Sequence, residues 1–246
     1  MKIHSITGLS LLCFLALLLL SGCPDVMSTS WGTWAKRDPG KLIPAPDGNN
    51  VSDLVDAARG DKEFARELLG KIKDEVNTKR GEEKAALQGA GISSAAAASG
   101  LDMELISNAS TLISAASSSG EDSVEANAAL DAVNVIYQSM KNTDLTSIAD
   151  DLVAILDDEA TFTADYYNSA TGSKTSTDDI TVSIMVLFIA EAQENGYDDV
   201  NEYVDSFKNR KDEGVLLSAK EEKAIFLAGL IKDQDGIGGL LDALGL

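Results

Sequence analysis

Histidine occurs once, at His4, and cysteine only at Cys13 and Cys23. All four prolines (Pro24, Pro39, Pro44 and Pro46) precede residue 50, and aromatic residues make up only 5% of the chain. Beyond Cys23 there is neither an imidazole nor a thiol. That excludes Ser-His-Asp and Cys-His catalysis over most of the chain, together with the usual zinc sites. Positive charge is scarce as well: 20 basic residues face 40 acidic ones. Such a balance repels nucleic acid and anionic lipid surfaces. No phosphate-loop glycine pattern is present, no catalytic set can be assembled, and no cofactor is implied.

What is present begins with the first 23 residues. Lys2 supplies one positive charge, and an apolar run from Leu9 to Leu20 follows, broken only by Ser10. The run is about a dozen residues long, against the roughly 20 that a membrane-spanning helix needs. A charged start, a short apolar core and a small-residue end at Ser21 and Gly22 form the pattern of a cleavable export signal.

The end of that run, Leu20-Ser21-Gly22-Cys23, resembles the lipobox of bacterial lipoproteins. The resemblance implies diacylglyceryl transfer to the Cys23 thiol, cleavage before Cys23 and often acylation of the new amino terminus. It also implies an envelope location with the folded part outside the cytoplasm, periplasmic or on the surface. Two or more acyl chains hold a protein firmly where one holds it only marginally. Because Lys2 is the only charged residue before Cys23, the chain from Cys23 onward keeps 19 basic and 40 acidic residues, a net of −21.

Residues 1–22 are thus expected to be a signal peptide and residues 23–50 a lipid-anchored tether. The tether holds all the prolines, several glycines, and Trp31 and Trp34 beside Lys36 and Arg37. Residues 51–246 read as an all-α domain of about five helical hairpins, starting near residues 51, 82, 124, 178 and 218. Asp61 is placed to cap one helix, Gly100 to end another, and Thr143 or Asp144 to cap a third. Similar stretches recur: EEKAALQGAGI from Glu82, EANAALDAVNV from Glu125 and EEKAIFLAGLI from Glu221. Stacked hairpins of this size build α-solenoids, and in that general sense the pattern is similar to tetratricopeptide-type repeats. The signature Trp, Gly and Tyr of those repeats are absent, so a compact helical bundle stands beside the solenoid. Ile180–Ile189 is rich in β-branched residues, yet it runs into good helix formers and reads as a buried helix. The small-residue stretch 85–98 reads as close helix packing.

Several candidate sites follow. Tyr166 and Tyr167 lie in a long connection, residues 158–179, and could meet a partner or ligand. Asp233, Asp235 and Asp242 approach the spacing of a calcium loop, but Ile231 occupies its first ligand position, so a glycine-rich turn fits better. The pairs Asp150-Asp151, Asp157-Asp158, Asp178-Asp179 and Asp198-Asp199 could suggest carboxylate chemistry. Those at 178 and 198 sit where helices are expected to begin, which the helix dipole already accounts for. The expected function is that of a non-enzymatic lipid-anchored protein. Its helical domain would bind or scaffold other envelope proteins, or serve a transport system as a ligand-binding accessory.

Overall fold

A computed structural model describes residues 43–101, 131, 133–169, 175–234 and 237–246. The proposed signal, Cys23 and both tryptophans lie outside the described residues. So does most of the segment between Leu101 and Val133, with the second helix expected there. The described part belongs to one unit running from Ile43 to Leu246. It is all-α; among the described residues there is no strand.

Helix α1 (Val51–Ala58) is followed by α2 (Lys62–Val76) and α3 (Gly81–Ser99). A helical stretch over 133–140 precedes α4 (Thr146–Ile155) and the single turn α5 (Ala164–Tyr167). Then come α6 (Thr177–Glu194), α7 (Val200–Asp212), α8 (Ala219–Ile231) and α9 (Gly238–Leu244). Local chemistry sets many of the boundaries. The Asp61 side chain accepts from the Phe64 N–H and caps α2. Ser176, Asp199 and Ser218 do the same for α6, α7 and α8. Gly100 ends α3 in the left-handed region, at φ 67°, as its sequence position suggested. The start of α4 differs from expectation: Leu145 occupies the cap position. Asp144, one residue earlier, still accepts from the Thr146 N–H at 3.2 Å, as in an Asx turn.

The core is organised around α3 and α6. Of the 19 residues of α3, 13 are buried; of the 18 of α6, 12 are buried, including Ile180, Met185, Phe188 and Ile189. A helix buried on nearly every side must be surrounded. Accordingly α3 packs on α1, α2, α4 and α6, while α6 packs on α3, α4, α7 and α8. In a solenoid each unit touches only its neighbours along the chain. The α3–α6 and α2–α4 contacts break that rule, so the described helices form a bundle. The β-branched stretch of α6 is helical because it enters as a central rod with apolar helices around it.

Small residues on α3 make the close approach possible. A side chain at Gly91 would meet the Ile155 Cγ2 at 2.8 Å, and one at Gly89 would lie against the Thr175 hydroxyl and the Phe162 ring. Gln88, wholly buried, donates to the carbonyls of Ile155 and Asp158 at 3.2 and 2.9 Å and so ties α3 to the end of α4. Ser183 on α6 donates to the Ile92 carbonyl of α3 at 3.0 Å. Phe188 meets Tyr203 and Phe207 edge to face, with centroids 5.4 and 5.1 Å apart, and locks α7 onto α6.

Candidate functional site: a cleft beside Tyr166

The segment 158–169 is anchored rather than draped over the surface. Phe162 is fully buried, and Thr163 caps the α5 turn by accepting from the Tyr166 N–H. That turn sends the two tyrosines in different directions. Tyr167 is buried and its hydroxyl pairs with that of Thr177 at 2.9 Å, so it serves the core. Tyr166 packs its ring on Phe162, centroids 5.6 Å apart, and borders a cleft. Burial pushes its phenol upward, and the nearby Glu82 charge adds to that. Of the two tyrosines expected to meet a partner or ligand, Tyr166 borders the cleft and Tyr167 belongs to the core.

The cleft has a volume of about 60 Å³ and lies between α1 and α3, with Tyr166 and Thr175 on a third side. Its apolar wall is Val51 and Val55 from α1 with Ala86 and Ala90 from α3. These residues are spaced i, i+4 on each helix, which puts each pair on one face. Gly89, between the two alanines, lets Thr175 come close. Polar groups gather at one end. Ser93, only 5% exposed, donates to Asp179 Oδ2 at 2.7 Å. Arg59 just past the end of α1 approaches Asp56 at 3.6 Å and Asp179 at 3.8 Å. Both distances exceed a hydrogen bond, so the guanidinium keeps donors to offer. Thr175 is also 5% exposed, and among the described residues its hydroxyl has no hydrogen-bond partner.

Nothing in the sequence singled out Arg59, Ser93 or Thr175. They come from three separated segments, and only the packing of α3 against α1 and α6 unites them. The small-residue stretch of α3 serves both as packing surface and as one wall of the cleft.

Most of the other chemistry-bearing groups have structural partners. Glu221 is completely buried, and it accepts from Arg210, from the Tyr203 hydroxyl at 3.0 Å and from the Ser218 N–H at 2.8 Å. Burial pushes its carboxyl up, but those three donors outweigh it and hold it below the usual range. The same burial, with Glu221 beside it, pushes the Tyr203 phenol strongly upward. Lys220 bridges Asp150 on α4 and Glu194 on α6, at 2.7 and 2.9 Å. Among the paired acids, Asp178 and Asp179 stand in the first turn of α6, and Asp199 caps α7. Asp150, Asp151, Asp158 and Asp198 pair with Lys220, Lys73, Lys84 and Lys141. Asp235 of the calcium-like stretch lies outside the described residues, and Asp233 and Asp242 are both exposed. Among the described residues no group of three or more candidate ligands could hold a metal ion. No described helix is long and apolar enough to cross a membrane. No known protein family, curated protein or solved structure matches this chain.

Proposed function

We propose that this chain is a bacterial envelope lipoprotein, anchored through acyl chains on Cys23, whose helical unit is a binding module. The observation that carries the reading is Leu20-Ser21-Gly22-Cys23 at the end of a short apolar run. The unit held outside the cytoplasm then has a net charge of −21 on the whole exported chain, and it binds or scaffolds other envelope proteins. A binding role is further supported by chemistry: without histidine or a free thiol, an enzyme would have only carboxylates, lysines and tyrosines, and the buried ones among the described residues are engaged in structural pairs.

Fractionation of cells producing the full chain or Cys23→Ser tests the anchor. The native chain is expected in the membrane fraction with an amino-terminal mass raised by acyl groups, and the variant in the soluble fraction without them. An unchanged fraction and mass in Cys23→Ser sinks the anchor. Affinity capture from gently solubilised membranes, with Cys23→Ser as control, tests the module. A stoichiometric partner retained at moderate salt supports scaffolding.

A second reading, a ligand-binding accessory of a transport system, is favoured by one observation: the cleft beside Tyr166, with an apolar wall and an unpartnered hydroxyl. Absence of any partner in the capture experiment shifts weight to it.

A further inference from the structure

We infer that the cleft between α1 and α3 is a site for a small zwitterion of the amino-acid class, bearing a short aliphatic side chain. The inference rests on the second reading above, that the helical unit holds a small ligand, and is independent of the anchor.

Three features define the ligand. The first is charge. The α1 end presents Asp56 and Arg59 side by side at the mouth, 70% and 57% exposed. Asp179 is the second acid near Arg59, but its Oδ2 is already taken by the Ser93 hydroxyl. Asp56 therefore keeps acceptor capacity and Arg59 keeps donor capacity. An anion alone would face two carboxylates and the net negative field of the chain. A cation alone would face the guanidinium. A molecule with one ammonium and one carboxylate meets both groups with opposite signs, the carboxylate on Arg59 and the ammonium on Asp56.

The second feature is the Thr175 hydroxyl. The residue is only 5% exposed, its hydroxyl has no partner among the described residues, and it opens onto the cleft wall over Gly89. A ligand carboxylate reaching inward from Arg59 would accept its proton.

The third is size. The cavity is about 60 Å³, well under the roughly 150 Å³ of an apolar cavity that takes benzene. Val51, Val55, Ala86 and Ala90 form an apolar wall without a deep end. The match is to an alanine- or valine-sized side chain and excludes an aromatic one.

The test is titration calorimetry and thermal unfolding of the full-length chain in detergent, with L-valine, L-alanine, L-phenylalanine, L-valinamide and N-acetyl-L-valine as probes. L-valine or L-alanine is expected to bind saturably at millimolar concentration or below and to raise the unfolding midpoint. The amide lacks the carboxylate and the acetylated form lacks the ammonium, so each is expected to bind at least about tenfold more weakly. L-phenylalanine should not bind. Arg59→Gln and Thr175→Val should each weaken L-valine binding by about tenfold or more. Arg59 is exposed, so its variant keeps the unliganded midpoint and reports binding rather than folding. Binding by none of the probes overturns the inference. So does equal binding of the amide or the acetylated form, or an Arg59→Gln affinity equal to that of the native chain. Fractionation of Cys23→Ser is read separately, so loss of the anchor and loss of the ligand site are distinguishable.

Discussion

Glu221 is charged and fully buried, and its four hydrogen bonds come from Arg210 (two), Tyr203 and Ser218. A buried acid is tolerated only when its oxygens are satisfied in this way. Glu221→Ala strands the Arg210 guanidinium and the Tyr203 hydroxyl, and removal of one member of a buried pair costs about 3 kcal/mol. Urea unfolding, read as the change in midpoint at constant slope, checks this. The pH dependence has a definite sign. The folded carboxyl titrates below the 4.5 of the free side chain, so its stabilisation is complete above that value and fades as pH falls through the lower folded value. As pH falls below 4.5 through that lower folded value, the native chain should therefore lose more stability than Glu221→Gln, which carries no titratable group there. A parallel loss in both proteins would contradict the assignment. The Ser218-to-Glu221 capping box is a local sequence signature, Ser followed three residues later by Glu. The Arg210 and Tyr203 partners leave no such local mark, since both come from α7.

At the scale of the elements, glycines separate packing from propensity. Gly91 sits where α3 touches the Ile155 side chain of α4, and an added Cβ would meet Cγ2 at 2.8 Å. Overpacking of that kind costs about 1–3 kcal/mol, against a helix-propensity gain near 1. Gly91→Ala is expected to be net destabilising by about 1 kcal/mol, the difference of those two effects. Gly229, exposed within α8, has nothing within 4 Å of an added Cβ. Gly229→Ala should stabilise by up to about 1 kcal/mol, because only the propensity term remains. Thermal unfolding of the two variants side by side reads the contrast. The helices themselves were largely legible, since Asp61 and Gly100 are local signals and the apolar spacing is periodic. The partner of each helix was not. Both α3 and α6 are apolar on most sides and have no single face to read, so periodicity cannot say which helices enclose them. For the same reason the solenoid and the bundle looked alike in one dimension. The cleft was legible only at Tyr166, through its place in a long connection, whereas Arg59 and Thr175 have ordinary neighbours in the chain.

For the molecule as a whole, the scarce cations are spent where helices meet. Lys73 reaches Asp151, Lys84 reaches Asp158, Lys141 reaches Asp198 and Lys223 reaches Glu159, each joining segments far apart in sequence. Their lysines are 11 to 41% exposed and most of their acids more so, and pairs of this kind contribute about 0–1 kcal/mol each. The unpaired remainder of 40 acids repels itself over about a Debye length, roughly 30 Å at 0.01 M salt and 8 Å at 0.15 M. Screening relieves more repulsion than attraction, so the unfolding midpoint should rise as sodium chloride is raised from low to physiological strength. A falling midpoint would show that the interhelical pairs outweigh the net charge.

The two rods at the centre have a consequence in time. Helix α3 is complete at Ser99, but α6, which packs on one side of it, ends only at Glu194. A chain that emerges amino terminus first, at about 5–20 residues per second, therefore leaves the α6-facing side of α3 uncovered for about 5–20 s. Glycine, alanine and serine hold less apolar area than leucine or phenylalanine would on the same rod. The small residues that later let the neighbours close in also keep that waiting surface a poor place for another chain to stick.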